Sequence, residues 1–204
     1  MNRDQRQMRC NTTEFQTREE DEGLFIEGYF SVFNTNYEIW PGATESVAPG
    51  AFSSTLGKDI RALVDHETRL VLGRNKSGTL ELKEDSHGLW GRVKINPNDG
   101  DAMNLYERVK RGDVDQCSFG FQIVKEDTEF REDGSVHWTI REVELFEVSV
   151  VTFPAYEETS VSARRRDYDE IKKRQDEARR EKIRNKLKGE RHGTESNAAE
   201  KENR

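Results

Sequence analysis

The chain has 204 residues, of which 32% are hydrophobic and 36% are charged, and its formal net charge is −7. This length suits one main domain with appendages, and the low apolar share predicts that part of the chain lies outside a packed core. Residues 1–162 carry 18 basic and 30 acidic side chains, a net −12, which argues against a nucleic-acid-binding core.

Cysteine usage and hydropathy favour a reducing, aqueous compartment. Cys10 and Cys117 are the only cysteines, and they form neither a metal-ligand pattern nor a disulfide framework. No apolar run is long enough to span a bilayer, and residues 1–13 lack the apolar segment of a secretory signal. We therefore expect a soluble cytoplasmic protein that binds neither membrane nor nucleic acid.

The predicted elements are short strands with few helices. Residues 1–21 are polar and have no sustained period, which predicts a flexible N-terminal arm. Residues 24–33 are rich in aromatic and β-branched side chains, as strands are. Asp99 caps a helix that ends at Gly112. Further strands are predicted over residues 60–64, 71–74, 79–84, 89–95, 113–124, 136–140 and 143–153.

This order of elements predicts an α+β fold for a domain over residues 22–162. We expect mainly an antiparallel β-barrel, closed or nearly closed, with a few packed helices. Residues 163–204 are predicted to be a charged tail, since residues 163–191 carry 13 basic and 7 acidic side chains and few apolar ones. The tail pattern indicates a helix ended by Gly189, followed by a disordered end.

Ser118 lies in a strand whose side chains alternate between two faces. Cys117, Phe119 and Phe121 fall on the apolar face, so Ser118 falls on the other and is expected to face polar space. Gly120 beside it leaves room for another backbone or a ligand. The ordinary alternative is a strand with one hydroxyl on its solvated side.

A serine hydroxyl becomes a good nucleophile only when a base lies within hydrogen-bond reach. His66 is the preferred candidate for that base, because it follows an apolar strand and can be held while it titrates. The other histidines stay open as alternatives. They are His87 in a predicted turn, His137 beside a tryptophan, and His192 in the tail.

Glu147 is the candidate for the group that orients the base. It interrupts an otherwise apolar run over residues 145–151, and a carboxylate in such a run needs a partner that offsets its burial. The alternatives are a surface carboxylate or a structural ion pair. If Glu147 does not orient the base, the carboxylates to consider next are Asp65, Glu67 and Glu144.

Five short motifs occur in a specific order between residues 24 and 162. They are Gly-Tyr-Phe-Ser-Val-Phe at 28–33, Pro-Gly-Ala-Phe at 49–52, Val-Asp-His at 64–66 with Val-Leu-Gly-Arg at 71–74, Arg-Gly-Asp-Val at 111–114 leading to Cys-Ser-Phe-Gly-Phe at 117–121, and the run at 145–155. In this order they resemble the prohead maturation proteases of tailed phages. That family, the caudovirus prohead serine proteases, is related in fold to the herpesvirus capsid-assembly proteases.

The resemblance implies roles for the candidate residues. It implies that Ser118 is the nucleophile and His66 the general base of an acyl transfer that needs no metal or organic cofactor. The herpesvirus relatives use a second histidine as the orienting group. No histidine stands in residues 145–154 here, so Glu147 is assigned that role.

The resemblance also implies a substrate and a place of action. The expected function is a serine endopeptidase that cleaves scaffold, or the scaffolding segment of the capsid protein, inside the phage precursor capsid in the host cytoplasm. Self-cleavage is expected as well. Two other classes stay open: a non-catalytic assembly protein that binds scaffold through the same fold, and an esterase that acts on small molecules.

Overall fold

The computed structural model describes residues 6–12, 14–131, 133–153, 164–166, 168–174 and 176–186. The chain divides into two compact units, residues 2–160 and residues 161–204. In the second unit every described residue is helical, and none of the described helices is long and apolar enough to cross a membrane. The predicted helix end at Gly189 and the predicted disorder beyond it lie outside the described residues.

The described part of the first unit consists mainly of strands, with one α-helix and one turn of 3₁₀-helix. The strands are β1 Gln7–Thr12, β2 Gln16–Glu20, β3 Gly23–Val32, β4 Tyr37–Trp40, β5 Ala43–Val47, β6 Arg61–Val64, β7 Glu67–Arg74, β8 Leu80–Glu84, β9 Gly88–Ile95, β10 Gln116–Phe130 and β11 Val136–Val151; the 3₁₀ turn is Asn75–Ser77 and the helix is α1 Gly100–Arg111.

These strands form two sheets around one core. The larger sheet has the order β1-β10-β11-β5-β4, with β6 and β7 continuing from another part of β11, and the smaller sheet has the order β2-β3-β9-β8. Most pairs are antiparallel, but β11 pairs in parallel with both β5 and β6. Fully or nearly fully buried side chains come from both sheets and the helix, among them Phe30, Leu89, Leu105, Phe119 and Val148.

The predicted closed or nearly closed barrel is wrong, although the prediction of a mixed α+β fold with mostly strands is confirmed. The larger sheet ends at β1, β4 and β7, and the smaller sheet ends at β2 and β8, so the pairing does not run around a closed ring. Alternation of apolar residues shows only that one face of a strand is buried. Two open sheets that face each other bury their strands in the same way as a barrel does.

The helix predicted from its caps is confirmed. The side chain of Asp99 accepts hydrogen bonds from the backbone N–H groups of Asp101 and Ala102, which the first turn of a helix leaves unpaired. Gly112 closes the other end in the left-handed region, with φ 82°. The helix buries one face, formed by Ala102, Leu105, Tyr106 and Val109.

Residues 1–21 are predicted as a flexible arm that can join the domain near its end, and their described part contains the strands β1 and β2. β1 pairs antiparallel with β10, and β2 pairs antiparallel with β3. The buried side chains of β1 include Gln7 and Arg9, and Arg9 forms an ion pair with the buried Glu45. Because these side chains are polar, hydrophobic periodicity does not reveal the strand.

Candidate active site

Ser118 lies on β10 with its side chain away from the core. Its neighbours Cys117 and Phe119 belong to the core cluster, as the alternation predicts. Ser118 lies among polar neighbours, since Cys10 and Ser149 pair directly with it, but it is 0% exposed and its strand is paired on both sides, with β1 and β11. Its Oγ atom has no hydrogen-bond partner among the residues that the structure describes.

His66 occupies a two-residue turn between β6 and β7. Asp65 has φ 46° and His66 has φ 61°, so both adopt the left-handed conformation of a tight hairpin turn that normally favours glycine or asparagine. Such strain persists where surrounding contacts enforce it, and it is typical of functional sites. Here the N–H of Asp65 donates to the carbonyl of Val150 at 3.0 Å, and its carboxylate accepts from the N–H of Thr152 at 2.7 Å.

Glu147 on β11 is 2% exposed and binds three groups. Its Oε1 accepts a hydrogen bond from Nδ1 of His66 at 2.6 Å and an ion-paired hydrogen bond from Arg6 at 2.6 Å. Its Oε2 accepts from the hydroxyl of Ser149 at 2.6 Å. Burial alone raises the pKa of Glu147, but the hydrogen bonds and the cations outweigh burial and lower it, so the carboxylate is ionised.

Gly120 explains how this carboxylate fits against β10. Gly120 is paired directly with Glu147 across the two strands. A Cβ atom at position 120 would overlap Oε1 of Glu147 and would lie 2.8 Å from the guanidinium of Arg6. The room that the sequence predicts beside Ser118 therefore holds the side chain of Glu147.

The surroundings of His66 change its pKa and occupy one of its two ring nitrogens. Burial lowers its pKa, but the interactions with Cys10 and Glu147 and the charge of Glu147 outweigh burial and raise the pKa to about 9. Nδ1 is committed to Glu147, whereas Nε2 is buried and has no hydrogen-bond partner within the described part of the chain. Nε2 is therefore the nitrogen that remains for proton exchange with a substrate or a nucleophile.

The structure brings the three predicted site residues to one side of the larger sheet. Ser118 pairs directly with Ser149, which binds Glu147, which in turn binds His66. Cys10 pairs directly with Ser118 from β1 and also interacts with His66. Ser118 and His66 make no hydrogen bond with each other.

The alternative residues have other partners. Both ring nitrogens of His137 are hydrogen-bonded to hydroxyls, and His87 packs edge-on against Tyr29 at a hairpin turn. His192 lies outside the described residues. The carboxylate of Asp65 binds Thr152, and that of Glu144 pairs with a lysine.

Sequence reasoning did not assign Ser149, Cys10 or Arg6 to the site. Ser149 had a usable signal, because it lies two residues after Glu147 in a strand, and residues at i and i+2 share a face. No local sequence pattern predicts that Cys10 and Arg6 lie at the site. They are brought there by the pairing of β1 with β10.

The cluster has the parts that acyl transfer requires. A carboxylate fixes the tautomer of an imidazole, the other ring nitrogen is open, and a serine hydroxyl without a hydrogen-bond partner lies nearby. No cofactor is needed for this chemistry, because proton transfer and nucleophilic attack are performed by side chains.

Comparisons with known proteins point to one family. A family model described as caudovirus prohead serine protease matches residues 12–174. The prohead protease of Enterobacteria phage HK97 is 33% identical over 146 residues, which cover 70% of this chain and 60% of that protein. The bacteriophage T4 capsid assembly protease is a structural neighbour with a TM-score of 0.48 and 10% identity, covering 72% of this chain and 97% of that one. The extent of the family match shows that this chain belongs to the caudovirus prohead serine protease family.

Proposed function

We propose that this protein is a serine endopeptidase in which Ser118 is the nucleophile, His66 the general base and Glu147 the orienting carboxylate. The observation that carries the proposal is the 2.6 Å hydrogen bond from Nδ1 of His66 to the buried Glu147. This bond leaves Nε2 as the nitrogen without a described hydrogen-bond partner, and Glu147 shares a face of the sheet with Ser118, because it pairs with Gly120, two residues from Ser118. The strained turn at His66 supports the same assignment.

The proposed reaction follows from these roles. Oγ of Ser118 attacks the carbonyl carbon of a peptide bond while Nε2 of His66 accepts the hydroxyl proton. Glu147 stabilises the imidazolium that forms, and His66 then donates the proton to the leaving amine. Water attacks the acyl-enzyme with His66 again as base, which releases the acid and restores Ser118.

The proposed substrates are capsid proteins of the phage. The family and the HK97 relative support action in the prohead. The specific substrate proposed here is the scaffold protein, or the scaffolding segment of the capsid protein, inside the precursor capsid in the host cell. The same geometry permits cleavage of the enzyme itself. We expect the site to accept a peptide segment that is extended and accessible.

The proposal is tested with purified protein incubated with precursor shells assembled from the capsid and scaffold proteins of the same phage. Wild type is expected to shorten the shell proteins and itself, and Ser118→Ala is expected to shorten neither. Ser86→Ala, in an exposed turn, is the matched control and should behave as wild type. Normal cleavage by Ser118→Ala would show that the nucleophile is elsewhere.

A further inference from the structure

One edge of β10, along residues 116–121, is paired with β1 of the same chain. Ser118 lies in this segment. The antiparallel register places Cys10 directly opposite Ser118 and Met8 opposite Gly120. β1 is the terminal strand of its sheet, and β10 is its pairing partner in the described part of the chain. The other edge of β10 is held by β11, a central strand of 16 residues.

The proposed nucleophile next to β1 is closed to a substrate in this conformation. Ser118 is 0% exposed and its hydroxyl has no partner among the described residues. A peptide carbonyl must come within about 3–3.5 Å of a nucleophile before attack. Because β11 is central to the sheet, the β1 side is the edge that can open.

β1 and the residue before it also act on the other two members of the site. Arg6 donates to Oε1 of Glu147 at 2.6 Å, the same oxygen that accepts from His66. A guanidinium there neutralises part of the charge that Glu147 must offer to an imidazolium. Cys10 interacts with His66 and contributes to its raised pKa of about 9, and a protonated imidazole cannot accept a proton.

The attachment of β1 is suited to exchange. None of its described side chains belongs to the hydrophobic core cluster. Its buried anchor is polar: the guanidinium of Arg9 contacts both oxygens of Glu45, at 2.5 and 3.0 Å. The core cluster is formed by other elements and does not depend on β1, whereas the buried Glu45 needs water or a group of the incoming segment in place of Arg9 when β1 leaves.

We propose that residues 6–12 are an internal inhibitor of the site, and that an extended peptide segment of a substrate takes the place of β1 along residues 116–121. The inference rests on the proposed function and adds how the site is closed and where the peptide binds. A peptide added to a sheet edge gains the backbone hydrogen bonds that β1 makes, and pockets for alternate side chains then supply specificity. The enzyme is therefore mostly closed until β1 is displaced or removed.

A reversible lock tests this directly in the full chain. Thr12 and Gln116 are directly paired, and the Cα separation of such pairs lies within the range that a disulfide spans. In the double variant Thr12→Cys with Gln116→Cys, the reduced protein should cleave a capsid peptide at least about tenfold faster than the oxidised protein, since the rate follows the open fraction. The single variant Thr12→Cys controls for pairing with native cysteines. Equal rates in the oxidised and reduced forms would overturn the proposal.

A second variant tests the opposite change, in which the pairing of β1 with β10 is weakened. Proline lacks the N–H that pairs with a neighbouring strand, and two consecutive prolines remove one donor that faces β10. Gln7→Pro with Met8→Pro should raise cleavage by about tenfold if the closed form dominates. The matched control is Gln16→Pro with Thr17→Pro in β2, the terminal strand of the other sheet, which should leave the rate unchanged. Thermal unfolding of both variants reports whether they are folded.

The outcomes separate this inference from the proposed function. If all folded forms cleave at the same rate, the enzyme stands and the inhibitor role is wrong. If no folded form cleaves peptide and none reacts at Ser118 with a fluorophosphonate, a probe for activated serines, the proposed function fails and the inference fails with it.

Discussion

Two histidines of the larger sheet and its turns, His137 on β11 and the half-buried His66 between β6 and β7, differ in what their rings can do. Nδ1 of His137 lies 2.8 Å from the hydroxyl of Thr44, and its Nε2 lies 2.9 Å from the hydroxyl of Ser46, so both nitrogens are occupied. His66 has one nitrogen on a carboxylate and one open, and its backbone is strained. The comparison teaches that burial of a histidine is not by itself a sign of function. A ring with one nitrogen hydrogen-bonded to a carboxylate and the other without a hydrogen-bond partner is a better indication of function.

The two rings also respond to pH in opposite directions. Burial, reinforced by the charge of Arg131, lowers the pKa of His137 below its usual 6.5. At His66 the interactions with Cys10 and Glu147 outweigh burial, and the pKa rises to about 9. One site therefore stabilises the neutral ring and the other the charged ring.

The largest expected effect is the difference in activity between changes at the two histidines. Replacing the base of a nucleophile–base pair costs nearly as much as removing the whole unit, so His66→Gln should lower kcat by at least about 10³-fold. His137→Gln should keep most of the activity, because its ring bonds to Thr44 and Ser46 and not to the site. Initial rates on a capsid peptide check both. A His66→Gln protein that cleaves normally would exclude His66 as the base.

A smaller loss is expected when the partner of the His66 ring is changed. Glu147→Gln keeps the size of the side chain but removes its charge, and an orienting carboxylate matters less than the nucleophile. We expect residual kcat about 10²-fold above that of Ser118→Ala. The control is Glu144→Gln, at an exposed carboxylate on the same strand. Wild-type kinetics for Glu147→Gln would place the orienting group elsewhere.

The opposite pKa shifts predict opposite effects on stability. Because the folded pKa of His66 lies above 6.5, its contribution is fully present below pH 6.5 and is lost as the pH rises through about 9. The contribution of His137, whose folded pKa is lowered, is present above pH 6.5 and is lost as the pH falls below 6.5 through the lowered folded pKa. Urea unfolding between pH 4 and pH 10 (roughly the window in which these rings titrate) should show a smaller alkaline loss for His66→Gln and a smaller acid loss for His137→Gln. Parallel profiles for the two variants would contradict the assignment.

The smallest effect on the site is expected from removal of the charged tail. Apart from Arg164, which is buried, the described tail residues are exposed or half-buried and carry many charges, and exposed charge contacts are weak and sensitive to salt. A chain truncated after Ala163 should cleave a capsid peptide in solution at the wild-type rate. We expect the same protein to be packaged poorly into precursor shells, because the basic tail would bind an acidic scaffold or capsid segment, and the tail should be an early site of self-cleavage. Unfolding of the truncated chain, measured by circular dichroism, would show that the tail is part of the fold, and unchanged packaging would show that recruitment uses another surface.

The sequence by itself determined the features that depend on local periodicity and capping. Alternation around Ser118 predicts which side chains of β10 enter the core, and Asp99 with Gly112 predicts both ends of the helix. A single carboxylate in an apolar run singles out Glu147. The predictions for β10 and for the helix hold because side-chain direction in a strand and unpaired backbone groups at helix ends are set by neighbouring residues.

Only the tertiary structure decided which strands pair and therefore what surrounds the serine. His66 and Glu147 are 81 residues apart and meet because β6 pairs in parallel with β11. β1 reaches Ser118 across more than one hundred residues of chain and carries polar side chains that periodicity does not detect. Pairing partners and sheet closure depend on the free energy of the whole arrangement of edges and faces, and a local pattern that fits an open pair of sheets fits a barrel equally well.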